Sequence, residues 1–404
     1  MTYVSKILSQ MTGIFKPQQK AIFALLSAQM CFSGRARMPN LSRYGAGSAK
    51  RLRRGATKGF DFYRLNEHLL SDTPALSVDQ DDPQRPQPAI LIDSTFTNKS
   101  GKHTEGLGFF HNGCSASNNK MERGLEFTLF AGLNLDEQRA YAIAVTQTKS
   151  DKSALKVAID ELTTNSEYYL EISKYVVADG YYAKNSFISE VTQHGFEVVT
   201  LLRRDAALRD LYTGPYSGRG RPKRYADRVN YKELNDWERD EELIDDLTIY
   251  SKIVNYKAWN RDLRVLVIVN RSAAHRILCR TDLTLSTAEI LKLYQQRFQI
   301  EFLFRDGKQH TGLGQAQTLD SEGREYFANA SFTTLNMLRL EEREQAISRG
   351  ESPLGQVSSI RSLKVRKHNE LILDLFISML GESREHEKVK EAYEVVSKVG
   401  VVAA

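Results

Sequence analysis

The stretch 293–309 reads LYQQRFQIEFLFRDGKQ and carries a carboxylate, Glu301, flanked by aromatic and basic residues. At 100° per residue, Tyr294, Arg297 and Glu301 lie within about 60° of one another on a continuous helix, so they share one face. Lys308 extends this stripe by two turns if the helix continues through Gly307. An acid beside Arg, Lys and Tyr suits a cation held next to phosphate groups, although intrahelical ion pairing on a solvated face gives the same pattern.

Apolar residues surround that stripe and predict that the helix packs against a core. They are Phe298, Ile300, Phe302, Leu303 and Phe304.

Two aspartates close apolar stretches that are typical of buried strands. Asp93 ends AILID (89–93), and Asp179 ends YVVAD (175–179). A carboxylate at the end of a buried strand is costly unless it meets a cation or hydrogen-bond donors. Each aspartate alone could simply cap a turn or the following helix. Two such strand ends in one sheet can instead converge on a shared divalent metal.

The order of the apolar segments predicts an α/β fold. Three sequential strands, at 89–93, 125–133 and 140–148, are followed by alternating helices and strands up to Leu202. This order favours a mixed sheet flanked by helices. About sixty polar residues then intervene before RVLVIVN (264–270), and their alternating segment LTIYSKIVNY (247–256) predicts a β-rich insertion.

Composition shifts divide the chain into five parts. We expect a helical module at 1–70, a proline-rich linker at 71–88 and an α/β domain at 89–202 and 262–330. The β-rich insertion occupies 203–261. Residues 331–404 are expected to form a helical C-terminal module.

The overall composition predicts a globular cytoplasmic protein. The 404 residues include 41% hydrophobic and 26% charged ones, and the sequence contains no apolar run long enough for a membrane span and no evident secretion signal. Three widely spaced cysteines argue against a disulfide framework. The net charge of +6 is modest and does not by itself identify a polyanionic partner.

The distribution of charge is more informative than its sum. Residues 32–60 hold eight basic side chains and no acidic one, and a second basic cluster spans 203–228. Such patches attract the DNA backbone, although a solvated surface is the simpler interpretation of either. A short basic helix beginning near Ser48 could present four residues to a groove or backbone. They are Lys50, Arg51, Arg53 and Arg54.

Two further segments are candidates for DNA contact. GRGRPKR (218–224) has the Arg-Gly-Arg-Pro pattern of an extended minor-groove binder, with Arg219 and Arg221 as the inserted side chains. A flexible basic loop would look the same. Lys102, in the segment after the first aspartate, is a third candidate.

These residues carry a family resemblance. Tyr294, Arg297, Glu301 and Lys308 match the spacing Y-x2-R-x3-E-x6-K, which resembles the signature of DDE transposases of the insertion-sequence-four group. DGYY (179–182) looks like that group's second motif, and IDST (92–95) looks like its first. The similarity runs from about residue 89 to residue 317.

The resemblance implies a ribonuclease H-like catalytic domain in which Asp93, Asp179 and Glu301 bind two Mg²⁺ ions, with Mn²⁺ able to substitute. It also implies that Tyr294 and Arg297, together with Lys308, hold the phosphates of the transposon end.

The implied partners are double-stranded DNA, the terminal inverted repeats, target DNA and a second copy of the chain in the complex that pairs the ends. The expected location is the cytoplasm, in association with the nucleoid. A DNA hairpin intermediate is a possibility in that group, and Trp237 or Trp259 could then stack on an extruded base, although a buried position is commoner for tryptophan.

Three functions stay open at this level. The first is cut-and-paste transposition, the second is a non-cutting derivative that acts as a repressor, and the third is a different nuclease of the same fold, such as a resolvase. The complete set of three acids favours the first over the second. The Y-R-E-K spacing gives no support to the third.

Overall fold

The computed structural model describes residues 7–9, 11, 13–71, 76, 88–113, 120–149, 151–216, 218, 220–240, 247–270, 275–352 and 358–402. It confirms the predicted α/β class, with a mixed sheet, flanking helices and helical segments at both ends. Most of the predicted linker lies outside the described residues.

The strands form one mixed sheet of 12 strands. They are β1 (Ala89–Asn98), β2 (Gly108–His111), β3 (Met121–Asn134), β4 (Arg139–Gln147), β5 (Tyr175–Ala178), β6 (Glu197–Leu202), β7 (Leu208–Leu211), β8 (Tyr225–Arg228), β9 (Glu238–Asp240), β10 (Leu247–Tyr256), β11 (Arg261–Asn270) and β12 (His275–Arg280). Along β4-β3-β1-β5-β6 the first two pairings are antiparallel and the last two parallel. This arrangement is consistent with the expected ribonuclease H-like sheet.

The helices are α1 (Lys16–Cys31), α2 (Met38–Leu41), α3 (Ala49–Lys58), α4 (Phe62–Ser71), α5 (Ala154–Thr164), α6 (Ser166–Ile172), α7 (Asn185–Gln193), α8 (Thr287–Gln295), α9 (Gln299–Asp306), α10 (Ser321–Ser348), α11 (Ile360–Leu380) and α12 (Glu387–Val396). No helix in these described parts of the chain is long and apolar enough to cross a membrane. Cys31 and Cys279 are free and buried, and Cys114 lies outside the described residues.

Strand β1 is longer than the sequence predicts. It continues five residues past Asp93 and pairs with β3 along its whole length, with Asp93 opposite Leu129. Asp93 therefore lies inside a strand, and the prediction that it ends one is wrong. The parallel pairing of β1 with β5 does stop at Ile92 and Ala178, so the carboxylate lies where the neighbouring strand ends.

The predicted β-rich insertion extends the main sheet. Its strand β10 pairs with β11, which pairs with β12, and β12 pairs with β6. The hairpin of β10 and β11 crosses the predicted boundary at 261, because both strands carry the alternating apolar residues that continue the sheet.

Helix α10 covers the outer edge of β4 with amide side chains. Asn336 accepts from the Ala142 backbone N–H at 3.0 Å and donates to the carbonyl of the same residue at 2.7 Å. Asn329 does the same at Val145, at 3.0 and 2.8 Å. These side chains replace a neighbouring strand, so the edge is closed to other chains.

The N-terminal helices surround the same long helix. Helices α1, α3 and α4 all pack on α10, and α1 also packs on α11. The predicted basic helix is present as α3, and the Ser48 hydroxyl caps it by accepting from Arg51 N at 3.2 Å.

The stretch 293–309 is helical but is not one continuous α-helix. Helix α8 ends at Gln295, a 3₁₀ turn spans Gln296–Phe298, and α9 is followed by a π-helical turn at Gly307–Thr311. Gly307 keeps a right-handed helical backbone, so the chain winds through it. The expectation of a uniform helix is wrong because the backbone hydrogen bonding tightens and then widens along the segment.

Candidate active site

Asp93 and Asp179 lie side by side in the sheet. The parallel register pairs Ile92 with Ala178, which brings the two following aspartates to the same edge. Burial and, next, the negative charge of Asp179 raise the pKa of Asp93 to about 6, although Arg297 opposes the shift. The sheet thus brings Asp179 close enough to disfavour the charge of Asp93.

Arg297 connects the sheet to Glu301. Its Nη1 donates to Asp93 Oδ2 at 3.2 Å, and its Nη2 donates to Glu301 Oε1 at 3.1 Å. Arg297 and Asp93 have side chains exposed by 18% and 22%, whereas that of Glu301 is exposed by 57%. Arg297 and Asp93 are therefore enclosed by the fold, whereas Glu301 lies at the solvent-exposed side of the site.

Tyr294, Arg297 and Glu301 share a face as predicted, despite the 3₁₀ turn. The Arg297 guanidinium lies 5.9 Å from the Tyr294 ring centroid and bonds to Glu301 one turn further on. Burial works against the charge of Arg297, but the carboxylate of Asp93 and the other nearby groups outweigh it and raise the pKa of this residue. Arg297 is therefore a permanent cation between two acids.

The apolar residues at 298–304 differ in exposure, and the helix packs against the core as predicted, with Leu303 partly buried against it. Ile300 and Phe304 are buried, whereas Phe298 and Phe302 are exposed and form an edge-to-face pair with centroids 5.2 Å apart.

Hydroxyl groups that the sequence did not single out support the two aspartates. Ser94 Oγ lies 3.0 Å from the Tyr182 hydroxyl and 2.9 Å from Thr128 Oγ1. Tyr182 is fully buried, and Asp179 Oδ1 accepts from Tyr181 N at 2.9 Å. The sequence could have indicated two of these residues, because Ser94 lies in the IDST segment and Tyr182 lies in the DGYY segment.

The donor chemistry of the site fits a hard divalent cation. Carboxylate oxygens are the ligands that such ions prefer, and a cation beside Asp93 would stabilise the charged form, which burial and then Asp179 disfavour by raising the pKa of this residue. Among the described residues, no group of three or more His, Cys, Asp or Glu side chains lies in metal-holding geometry. In this conformation the Arg297 guanidinium supplies the positive charge between Asp93 and Glu301.

Lys308 and Lys102 are both exposed. Lys308 belongs to the π-helical turn beyond α9, so it lies on the continuation of the helical segment that carries Glu301. Lys102 lies in the loop between β1 and β2. Its neighbour Lys99 instead donates to the Ala316 carbonyl at 2.6 Å, which ties that loop to the segment after the π-helical turn.

The other basic candidates lie outside the carboxylate site. The four predicted basic residues of α3 all have exposed side chains. Three of these side chains line an open groove of about 810 Å³ beside the exposed Phe15. Arg221 is exposed in the loop between β7 and β8, whereas Arg219 lies outside the described residues. Of the four predicted basic residues of α3, Lys50, Arg51 and Arg54 line the groove and Arg53 does not.

Neither tryptophan offers a free ring face. Trp237 is 6% exposed and Trp259 is 8% exposed, and both belong to the hydrophobic core. The idea that one of them stacks on an extruded base therefore receives no support, because a buried ring has no face available to a base.

Comparison with known proteins gives one match. A sequence model of the family described as "Transposase DDE domain" matches residues 84–337, which is more than half of the chain. No curated protein matches the chain. The matched range includes all three carboxylates and the whole sheet.

Proposed function

The chain belongs to the transposase family with the DDE domain, and on that premise we propose that it cuts and rejoins DNA at transposon ends by cut-and-paste transposition. The observation that carries this proposal is the line of ion pairs from Asp93 through Arg297 to Glu301, next to Asp179. In this proposal the three acids and Arg297 are the groups that bind and cleave a phosphodiester. We further propose that the chain belongs to the insertion-sequence-four group, on the Y-x2-R-x3-E-x6-K spacing.

Asp93, Asp179 and Glu301 are the proposed catalytic residues and metal ligands. DDE transposase domains generally use divalent metals, and we propose two Mg²⁺ ions here, with Mn²⁺ as a substitute. When bound, such ions activate the attacking oxygen and stabilise the leaving oxygen at phosphorus. The half-buried pair Asp93 and Asp179 forms the fixed part of the site, and the exposed Glu301 forms the part that can adjust.

Arg297 has two roles in this proposal. In the free protein its guanidinium neutralises Asp93 and Glu301. When DNA is bound, the same planar group can bind phosphate oxygens in a bidentate manner, and the nearby Tyr294 orients it. Lys308 continues the phosphate contacts along the DNA. If Arg297 exchanged its bond to Glu301 for a bond to a phosphate, Glu301 would be free to bind metal.

The domain assignment stays a proposal. We assign residues 1–70 to end recognition, through Lys50, Arg51, Arg53 and Arg54, and residues 89–202 and 262–330 to catalysis. Lys102 and the insertion (203–261), through Arg219 and Arg221, provide further contacts to double-stranded DNA at the inverted repeats or the target. Residues 71–88 are the proposed linker.

The C-terminal module (331–404) is the proposed dimer contact that pairs two transposon ends. Large apolar side chains on α11 are spaced as one helix face and are more than half exposed. They are Ile372, Leu375, Phe376, Met379 and Leu380. An exposed apolar stripe with this spacing is typical of a helix that packs against a partner.

The proposed function is tested by excision. A marker flanked by the terminal inverted repeats that border the gene for this chain is incubated with the purified protein and Mg²⁺. Release of the marker, absent with EDTA, supports a cutting enzyme. Tight binding to the repeats without any cut supports instead the alternative, a non-cutting derivative that acts as a repressor. Cleavage of branched DNA with indifference to the repeats would contradict both.

A further inference from the structure

A turn in the N-terminal region packs directly on the segment that follows the helix of Glu301. The turn is Ser33–Arg37, with the sequence SGRAR, and the segment is Gly312–Ala316. The Ala36 backbone N–H donates to Gln315 Oε1 at 2.7 Å, and Ala36 itself is buried. The two regions are nearly 280 residues apart in sequence, so the fold, and not chain continuity, brings them together.

This contact is close and well fixed. Gly312 has φ +90°, and a Cβ placed on it would lie 2.1 Å from the Ala36 Cβ, so only glycine fits. The turn is held internally as well. Asn40 Nδ2 donates to the carbonyls of Ser33 and Arg35 at 2.8 and 2.9 Å, and Arg37 N donates to the Arg35 carbonyl at 2.8 Å.

The turn leaves two guanidinium groups in solvent. Arg35 and Arg37 flank the buried Ala36, and both side chains are exposed. Within the described part of the chain neither of them forms an ion pair, and the whole stretch 32–60 contains no acidic residue. The backbone that carries them is fixed, and the planar guanidinium groups can each donate two hydrogen bonds to the oxygens of a phosphate group.

The turn also lies at a definite distance from the carboxylate site. Gly312 follows Glu301 by 11 residues of helical and π-helical backbone. At about 1.5 Å of rise per residue, the separation along the axis is about 16 Å. This corresponds to about four or five base pairs of duplex DNA. The exposed Lys308 lies between the two points.

We propose that Arg35 and Arg37 form a DNA-phosphate clamp that the N-terminal region contributes next to the active site, about half a helical turn of DNA from the cut. The proposal rests on the proposed function for the position of the cut. It adds a phosphate-binding site outside the matched family range 84–337. It also explains why the glycine at 312 is tied to Ala36: the contact sets the clamp at a fixed distance from Glu301.

The test measures the binding of a 40-base-pair random-sequence duplex at salt concentrations from 50 to 300 mM. Each phosphate contact contributes about 0.9 to the slope of log affinity against log salt. The double variant Arg35→Ala/Arg37→Ala is expected to lower that slope by about 2 and to weaken binding about tenfold or more at low salt. Lys388→Ala, an exposed lysine on α12, is the matched control and should change neither quantity.

A third variant separates the charges from their placement. Gln315→Ala removes the acceptor of the Ala36 N–H and keeps both arginines, so affinity should fall by a smaller factor while the slope stays at the wild-type value. A slope and affinity of the double variant equal to those of Lys388→Ala would overturn the clamp. Failure of the wild-type chain to bind the duplex would overturn it too. An error in the proposed catalytic site would give a different result. The variant Asp93→Asn would then still cleave DNA, and the salt slopes of DNA binding would be unaffected.

Discussion

Arg297 Nη1 donates a hydrogen bond to Asp93 Oδ2 at 3.2 Å, across 204 residues of sequence. The same guanidinium bonds to Glu301, so a single cation bridges the β1 carboxylate and the α9 carboxylate. Two acids that share one arginine beside a third acid form a site that is short of positive charge, and burial together with Asp179 keeps the pKa of Asp93 at about 6. The charge on Asp93 therefore lowers the free energy of unfolding.

Asp93→Asn is expected to stabilise the metal-free protein at pH 8. The folded pKa of about 6 lies above the ordinary 3.8, so the stability contributed by Asp93 is full below about pH 4 and is lost as pH rises through 6. Removing the charge should then raise the free energy of unfolding by about 1 to 3 kcal/mol at pH 8 and have little effect at pH 4. Urea denaturation at the two pH values measures this.

Mg²⁺ should make the wild-type protein more stable than Asp93→Asn, which reverses the order expected without metal. An ion that binds only the folded wild-type site raises its midpoint of thermal unfolding, and EDTA removes the gain. Asp93→Asn should show no such rise. A metal-dependent shift of equal size in both proteins would show that Asp93 is not a ligand.

Arg297→Ala is expected to affect both the acid and the DNA. Loss of the guanidinium should move the pKa of Asp93 further above 6, because the opposing positive charge is gone, and carbon NMR of the carboxyl group follows this. It should also lower the salt slope of DNA binding by about 1. Arg305→Ala, on the adjoining helix α9, is the matched control, since Arg305 bonds to Asp306 and not to the site. Equal effects of the two variants would contradict a specific role of Arg297.

Glu325 provides a pH-dependent contact between α10 and β4. Its Oε1 accepts from Gln147 N at 2.8 Å, and burial raises the pKa of the carboxyl to about 7 from an ordinary 4.5. Its contribution to stability is thus present below about pH 4.5 and is lost as pH rises through 7. Glu325→Gln keeps the acceptor and should stabilise the fold by about 1 to 3 kcal/mol at pH 8 but not at pH 4.

The matched control for that variant is Glu322→Gln, on the exposed side of the same helix. It should change the free energy of unfolding by less than about 0.5 kcal/mol at either pH. Chemical denaturation of the two variants is the measurement. A stabilisation that is independent of pH would mean that the carboxyl of Glu325 does not titrate near 7.

The proposed dimer contact predicts a change in mass. Leu375→Asp/Met379→Asp places charges in the middle of the exposed stripe of α11 and should convert a dimer to a monomer in analytical ultracentrifugation. Leu319→Asp, at an isolated exposed leucine, should leave the mass unchanged. A wild-type chain that sediments as a monomer both alone and with end DNA would contradict the contact.

Most of the fold follows from the local pattern of apolar residues. The segments AILID, YVVAD and RVLVIVN are strands because they are short and apolar, and Ser48 starts a helix because its hydroxyl caps one. The family assignment to DDE transposases is confirmed as well. These predictions succeed because each rests on contacts between residues close in sequence.

The features that the sequence did not predict depend largely on residues that are distant in sequence. Nothing near Asp93 indicates that β1 continues to Asn98, because the extension is supported by β3 across the sheet. Helical periodicity does not reveal the 3₁₀ turn at Gln296–Phe298. The pairing of Ala36 with Gly312 likewise joins parts of the chain that share no local pattern.

The most direct test of the central claim is the excision assay with neutralised acids. Asp93→Asn, Asp179→Asn and Glu301→Gln are each compared with wild type and with Glu322→Gln in cleavage and in binding of the inverted-repeat DNA. Each of the three is expected to lower the Mg²⁺-dependent cleavage rate at least about 100-fold while DNA binding is retained, and Glu322→Gln should cut like wild type. Cleavage at the wild-type rate by any one of the three, or by the wild-type protein in EDTA, would contradict the assignment of Asp93, Asp179 and Glu301 as the metal-binding catalytic site.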